Sequence, residues 1–284
     1  MEFSGLTGCA APAFNAGAIT TEETSALSEM RKAIGPLPEG ALAEVSSDFF
    51  FLRFLRGYQS NLKAATEAYR AMLEYRAEGD LNAVHTELCS AGMPWPWDME
   101  RFAQLRVVVG ERGILRLHTH DLQGNVLTHC LAQPALSGIR AAVKAGLGET
   151  YLELFRYLDE WMLVKTHALC TERGHLVGEH QIIDVDGVGM FSFGGVLDTV
   201  RAMGKGSRHY PERLVHIDDI NNTRVAMFIW PAIAPFIPKH TASKLRVAGR
   251  AFQETLLAQI AETELPPSLG GACSDARWAY VTEK

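Results

Sequence analysis

The sequence predicts an α/β fold in which an N-terminal helical unit precedes a mainly parallel sheet with crossover helices. Two observations lead there. Between residues 21 and 90 apolar residues recur at three- and four-residue steps, the signature of helices with one buried stripe. After about residue 98 short strand-like runs alternate with helical ones, and a β-α-β-α-β-α order suits parallel strands joined by crossovers. A third stretch fits neither pattern. Val225–Pro238, VAMFIWPAIAPFIP, runs for 14 residues without a charge and is broken by Pro231, Pro235 and Pro238. It is too short to span a bilayer, which takes about 20 apolar residues, and its prolines would kink or break an ordinary core helix.

In chain order, Thr21-Glu22-Glu23-Thr24 resembles a helix start with acids in the first turn, and Gly35-Pro36-Leu37-Pro38 breaks that helix. Ser46-Ser47-Asp48 can cap a second helix, FFFLRFLRG, closed by Gly57. A third runs from Asn61, with Leu62, Ala65, Tyr69, Met72, Leu73 and Arg76 on one stripe. Gly92-Met93-Pro94-Trp95-Pro96-Trp97 reads as a stiff connector. ILRLHTHD and NVLTHCLA then read as paired strands around Leu122-Gln123-Gly124-Asn125. Residues 149–170 read as a long helix with Leu152, Phe155, Leu158, Trp161 and Met162 on its apolar face. HQIIDVDG reads as a short buried strand ended by Gly187, followed by a helix around 194–206 and the strand LVHIDDIN. KLRVAG is a further strand, and the last helix carries Phe252, Leu256, Leu257 and Ile260. The expected organisation is a flexible arm over 1–20, the helical unit over 21–90, the sheet domain over 98–273 and a tail over 274–284.

The 284 residues, 47 % of them hydrophobic and 21 % charged, are ordinary for a globular protein with a sizeable core. A net charge of −6 leaves no global basic field for nucleic acid or for anionic membrane. The five cysteines are far apart, odd in number and without C-x-x-C spacing, which argues against a disulfide framework or a zinc site and fits a reducing cytosol. The N-terminus has no basic n-region and no long apolar h-region, so it does not read as a signal peptide.

Two strings invite a catalytic reading. His118-Thr119-His120 can offer two imidazoles to a metal, as in a metal-dependent hydrolase, but no further histidine falls in ligand spacing. The competing reading, a solvated strand end before a turn, is the one the sequence favours. Asp184-Val185-Asp186-Gly187-Val188-Gly189 lies between a strand and a helix, as a phosphate loop does. Ser192, however, stands where G-x-G-x-x-G needs its third glycine, so a tight turn with positive φ is expected instead. No serine sits in G-x-S-x-G and no cysteine has a visible partner. Nothing in the chain demands catalysis.

Six segments in register resemble the CRAL-TRIO family of lipid-binding and lipid-transfer proteins, of the phosphatidylinositol/phosphatidylcholine transfer type. DFFFLRFLR at Asp48–Arg56, with Glu74-Tyr75-Arg76, is similar to the family's L-R-F-L-R and later W-R. HDLQGNVLTHCLAQ at His120–Gln133 is similar to its strand-turn-strand with D-x-x-G. IIDVDG at Ile182–Gly187 is similar to I-x-D-x-x-G. Tyr210-Pro211-Glu212-Arg213-Leu214 matches Y-P-E-R-[LM], the most specific string. Pro235-Phe236-Ile237 with Thr241-Ala242-Ser243-Lys244-Leu245 matches P-F-L and T-x-x-K-[IL]. Leu265–Gly271 matches the closing L-P-x-x-[FL]-G-G.

The resemblance implies a hydrophobic pocket closed by a mobile gate helix formed by the uncharged stretch, with Phe228, Ile229, Trp230, Ile233, Phe236 and Ile237 facing acyl chains or bilayer. It implies headgroup contacts from Glu212, Thr241 and Lys244 to a phospholipid, most of all phosphatidylinositol. A structural ion pair between Glu212 and Lys244 is the competing role for those two residues. The chain departs from the family at three places. Tyr58-Gln59 replaces a basic pair. Glu179 and Gln181 stand where the choline-lipid site has a serine and a threonine, which puts phosphatidylcholine exchange in doubt. Asp218 and Asp219 replace apolar residues, so one of them points inward and needs a partner such as Arg224, Lys244 or a polar ligand group. The implied protein is a non-enzymatic, monomeric, cytoplasmic carrier with bound lipid and no other cofactor. It would visit membrane surfaces and serve a lipid kinase or another protein partner. Other ligands compatible with these residues are sterol- or vitamin-like hydrophobes.

Overall fold

The structure, a computed structural model, describes residues 16–110, 115–189, 191–222, 244–274 and 278. The first helix, α1 (Thr21–Ile34), starts on a capping box in which the Thr20 hydroxyl accepts from the Glu23 amide and the Glu23 carboxylate accepts from the Thr20 amide. Ser47 caps α2 (Asp48–Gly57) and Asn61 caps α3 (Leu62–Glu78), each by a side-chain oxygen on the N3 amide. Helix α4 (Leu81–Ser90) follows, and α5 (Ala103–Val109) precedes the sheet. Phe50, Phe51 and Phe54 of α2 close around Tyr69 of α3, whose hydroxyl donates to the Val45 carbonyl at 2.8 Å.

The sheet has five strands in sequential order: β1 (Leu115–His120), β2 (Val126–Leu131), β3 (Glu179–Asp184), β4 (Leu214–Ile220) and β5 (Leu245–Val247). The β1–β2 hairpin is antiparallel and the other three pairings are parallel, as the alternating pattern predicts. Helices α6 (Ala132–Lys144) and α7 (Gly148–Arg173) connect β2 to β3, and α8 (Leu197–Ser207) connects β3 to β4. The short α9 (Gln253–Leu257) follows β5.

Side chains alternate across the strands, so the sheet has two distinct faces. One face carries Leu127, Leu131, Ile182 and Ile220. It is closed by Phe252, Leu256, Ile260, Leu265, Leu269 and Trp278, which together form a separate apolar core. The other face carries Val126, whose core extends through α6 and α7 to α2 and α3. The apolar stripe of α7 holds Leu158, Trp161 and Met162 as predicted, with Tyr151 and Leu154 in place of Leu152 and Phe155. Leu152 and Phe155 are only partly buried, because they line a depression of about 300 Å³ with Tyr75, Arg156, Asp159 and Met203, where α3, α7 and α8 meet.

The helices are tied to the sheet by buried cations. Arg76 of α3 donates to both carboxylate oxygens of Glu160 on α7 (2.7 and 2.9 Å), and Tyr210 donates to the same carboxylate at 3.0 Å. Both partners of this pair are almost wholly removed from water. Breaking such a pair strands a charge, at about 3–5 kcal/mol. Glu160→Ala is therefore expected to lower unfolding free energy by about that amount in urea titrations, while Arg76→Met with Glu160→Leu loses much less. Equal losses in the single and double variants would show that the charge pair is not the source.

Candidate functional site

Each residue of Tyr210-Pro211-Glu212-Arg213 is held by a different neighbour. Tyr210 joins the Arg76–Glu160 pair. Pro211 lies against Gly57 at the end of α2, so close that a Cβ on Gly57 would come within 2.9 Å of the proline Cβ. Arg213 pairs with Asp159 of α7. Glu212, at φ 54°, turns its carboxylate to Lys244, with an Oε1–Nζ distance of 3.0 Å. Lys244 Nζ also donates to the Leu214 carbonyl at 2.7 Å. Burial lowers the Lys244 pKa and the Glu212 charge opposes that shift.

Beneath this loop Arg53 of α2, only 5 % exposed, donates to the Glu212 carbonyl at 2.5 Å and to the Val177 carbonyl at 2.5 Å. The L-R-F-L-R string thus braces the same loop that carries Glu212. Close packing at Gly178 completes the joint, since a Cβ there would fall 2.4 Å from the Arg213 carbonyl oxygen.

Among the predicted headgroup residues, Glu212 and Lys244 are therefore together, and Thr241 lies outside the described residues. Phe228, Ile229, Trp230, Ile233, Phe236 and Ile237 of the uncharged stretch lie outside them too. Glu179 and Gln181 sit on β3 with side chains on the face that the C-terminal core leaves uncovered. Glu179 is buried and accepts from the Thr128 hydroxyl at 2.7 Å. Burial pushes its carboxyl up and nearby Arg213 counteracts. Further along this face Ile217 is buried and Leu117 packs against the helical core, while Leu115, Ile183, Leu245 and Val247 are only partly buried, although they belong to a sheet that is parallel in three of four pairings.

The opposite face holds a group that sequence reasoning missed. His180, fully buried, lies between two carboxylates: Nδ1 is 3.1 Å from Asp121 Oδ2 and Nε2 is 2.7 Å from Asp218 Oδ2. Arg246 of β5 completes the row, with NH2 donating to Asp218 at 2.8 Å. Asp121, the aspartate of D-x-x-G, also accepts from the amides of Gln123 and Asn125, so it fixes the hairpin turn and the histidine at once. The inward carboxylate expected on β4 is Asp218. Among the described residues its partners are His180 and Arg246, while Lys244 pairs with Glu212 instead and Arg224 lies outside the described residues.

Neither catalytic string develops into a site. His118 is not a solvated strand end, because its ring is 7 % exposed and stacks on Trp278 with centroids 3.5 Å apart. Among the described residues no group of three or more His, Cys, Asp or Glu side chains is placed to hold a metal ion. Gly187 has φ 76° in a tight turn closed by Val188 N to Val185 O at 3.0 Å. The next helix, α8, begins only at Leu197, so the turn does not feed a helix N-terminus.

The family model for the CRAL/TRIO domain matches residues 148–271. The phosphatidylinositol/phosphatidylcholine transfer protein SFH9 of Arabidopsis thaliana is 26 % identical over 266 residues, which is 90 % of this chain and 42 % of that protein. SFH12 of the same plant is 34 % identical over 104 residues, 36 % of this chain and 19 % of its own. The chain thus spans less than half the length of these plant relatives. The Sec14 cytosolic factor of Schizosaccharomyces pombe is 24 % identical over 276 residues, covering 94 % of this chain and 88 % of that one. The crystal structure of Sfh5 superposes with a TM-score of 0.56 at 16 % identity over 82 % of each chain, which shows a shared fold.

The carboxylates on both sides of His180 favour its charged form. Burial opposes that form, yet the two hydrogen-bonded carboxylates outweigh it and the pKa is raised. His216, packed edge-on to His180, is instead lowered to about 4 by burial and by the charges of Arg246 and His180. A raised histidine pKa contributes stability that is complete below the unfolded value of about 6.5 and is lost as pH rises through the folded one. In histidine-resolved NMR titrations His180 is expected to titrate above 6.5 and His216 near 4. The stability gap between the native chain and His180→Gln should be widest at acid pH and narrow as pH rises. A gap that widens with pH would contradict the charged bridge.

Proposed function

We propose that this chain, whose residues 148–271 match the CRAL/TRIO domain, is a lipid-binding and lipid-transfer protein. It takes a phospholipid, phosphatidylinositol above others, into a hydrophobic pocket over the open sheet face and exchanges it at membrane surfaces. The observation that carries this reading is the set of partly buried Leu115, Ile183, Leu245 and Val247. Strands of a parallel sheet are normally covered on both faces, and an acyl chain is a cover that a carrier can exchange. The relatives that match along most of this chain are named as phosphatidylinositol/phosphatidylcholine transfer proteins or Sec14 factors, which supports the same activity.

The uncharged Val225–Pro238 stretch is the proposed gate. Each buried methylene is worth about 0.8 kcal/mol, so a two-chain lipid needs a pocket almost as apolar as the bilayer and a cover that closes in transit. Trp230 suits the interface, where an aromatic ring keeps one edge wet. Glu212 and Lys244 serve the headgroup, Lys244 toward phosphate and Glu212 toward inositol hydroxyls, with Thr241 as a third contact. Loading requires the headgroup to replace or bridge their existing ion pair. The carrier works as a cytoplasmic monomer that binds membranes peripherally, makes and breaks no covalent bond, and presents lipid to acceptor membranes or to a lipid kinase. The described helices include none long and apolar enough to cross a membrane.

The test is vesicle-to-vesicle transfer of labelled phosphatidylinositol. Lys244→Ala is expected to slow transfer about tenfold, equivalent to about 1.4 kcal/mol. Circular dichroism and binding of a fluorescent fatty acid should stay near native. Native transfer rates in Lys244→Ala would remove this lysine from the headgroup site.

A further inference from the structure

The open face of the sheet is not uniformly apolar. Between its partly buried leucines, isoleucine and valine stand Thr128, Glu179, Gln181 and Asp219. The strand register puts Thr128 opposite Gln181, and Asp219 opposite Ile183. Among the described residues of β1–β5 the register places one basic side chain on this face, His120, opposite Val126 at the hairpin end and away from Asp219. Glu179 has the Thr128 hydroxyl as a donor. Asp219 is less well served. Its Oδ2 accepts from Asn222 Nδ2 at 2.9 Å, while its Oδ1 is shut off from water and has no hydrogen-bond partner. Burial raises its pKa to about 6, in keeping with a carboxylate short of donors. A buried acceptor left unpaired is costly, and a sequence that keeps one on a ligand-facing surface invites the ligand to supply the donor.

We propose that this face is a ligand subsite for an amphiphile whose polar group donates hydrogen bonds, a hydroxyl or a primary ammonium, with Asp219 Oδ1 as its acceptor, and that it rejects phosphocholine. The inference rests on the reading of this face as the lipid pocket and adds what the pocket selects. A quaternary ammonium has no N–H to give Asp219. A long-chain alcohol or amine satisfies Oδ1 and lays its tail along Ile183 and Val247.

The experiment displaces a fluorescent fatty acid from the full chain with four probes: hexadecan-1-ol, hexadecylamine, methyl hexadecyl ether and phosphatidylcholine vesicles. The alcohol or the amine is expected to bind at least ~tenfold tighter than the ether, which has the same body and no donor, and phosphatidylcholine is expected to be taken up poorly. Asp219→Leu should erase the preference and leave ether binding intact; it costs the fold one side-chain hydrogen bond, from Asn222. Asp219→Asn keeps an oxygen acceptor without charge, so it should preserve an alcohol preference and abolish an amine preference, which tells the two donors apart. Equal binding of alcohol, amine and ether overturns the proposal, as does a preference that survives Asp219→Leu, or ready uptake of phosphatidylcholine. If the fatty acid itself fails to bind, the pocket reading fails first and this one falls with it.

Discussion

A sheet that is parallel across most of its width needs cover on both faces, and the two faces of this one are covered unequally. Leu127, Leu131 and Ile182 are sealed by Phe252, Leu256, Ile260, Leu265, Leu269 and Trp278. The other face is packed near Val126 and only partly buried toward Ile183, Leu245 and Val247. The remaining architecture follows from holding such an asymmetric sheet together. Where one face cannot contribute a full core, strand positions must be fixed by other means, and here buried charge does it. Arg53 braces the loop before β4, Arg76 binds α3 to α7, Arg213 binds the same loop to α7, and His180 ties β3 to β4 and to the β1–β2 turn through two carboxylates.

These ties bear on the proposed exchange of lipid. A cover that moves must not drag the floor with it. Four separate anchors hold Tyr210–Arg213, so Glu212 and Lys244 meet at the rim as a preformed pair rather than as two free side chains. A headgroup arriving there competes with an interaction already in place, which favours groups that can bridge both charges. Phosphate with adjacent hydroxyls has that pattern, and it is the reason phosphatidylinositol is preferred in the proposal.

Much of the fold was legible because local pattern and tertiary role agree. Thr20–Glu23 and Ser47 are caps in sequence and in space, and the β2, β3 and β4 runs are apolar where strands are buried. The meeting of Glu212 with Lys244 was legible only through the family strings, since 32 residues separate them and no periodicity links them. The His180 bridge escaped because its partners come from the β1–β2 turn and from β4, far apart in the chain, and a histidine before an apolar run has no local signal for two carboxylates. His118 was read as wet because it precedes a turn; the aromatic lid over it, Trp278, lies 160 residues away and its approach has no trace in local sequence. On α7 the reading holds for Leu158, Trp161 and Met162 and is one position off at Leu152 and Phe155, whose surroundings are set by α3 and α8.

The central claim is that the open face exists to hold a lipid. Native mass spectrometry of the purified chain, before and after incubation with mixed phospholipid vesicles, tests it most directly. The account predicts one lipid mass per chain, retained through gel filtration and exchanged for vesicle lipid. A chain that stays bare in both conditions, with the open face filled by its own residues, would contradict it.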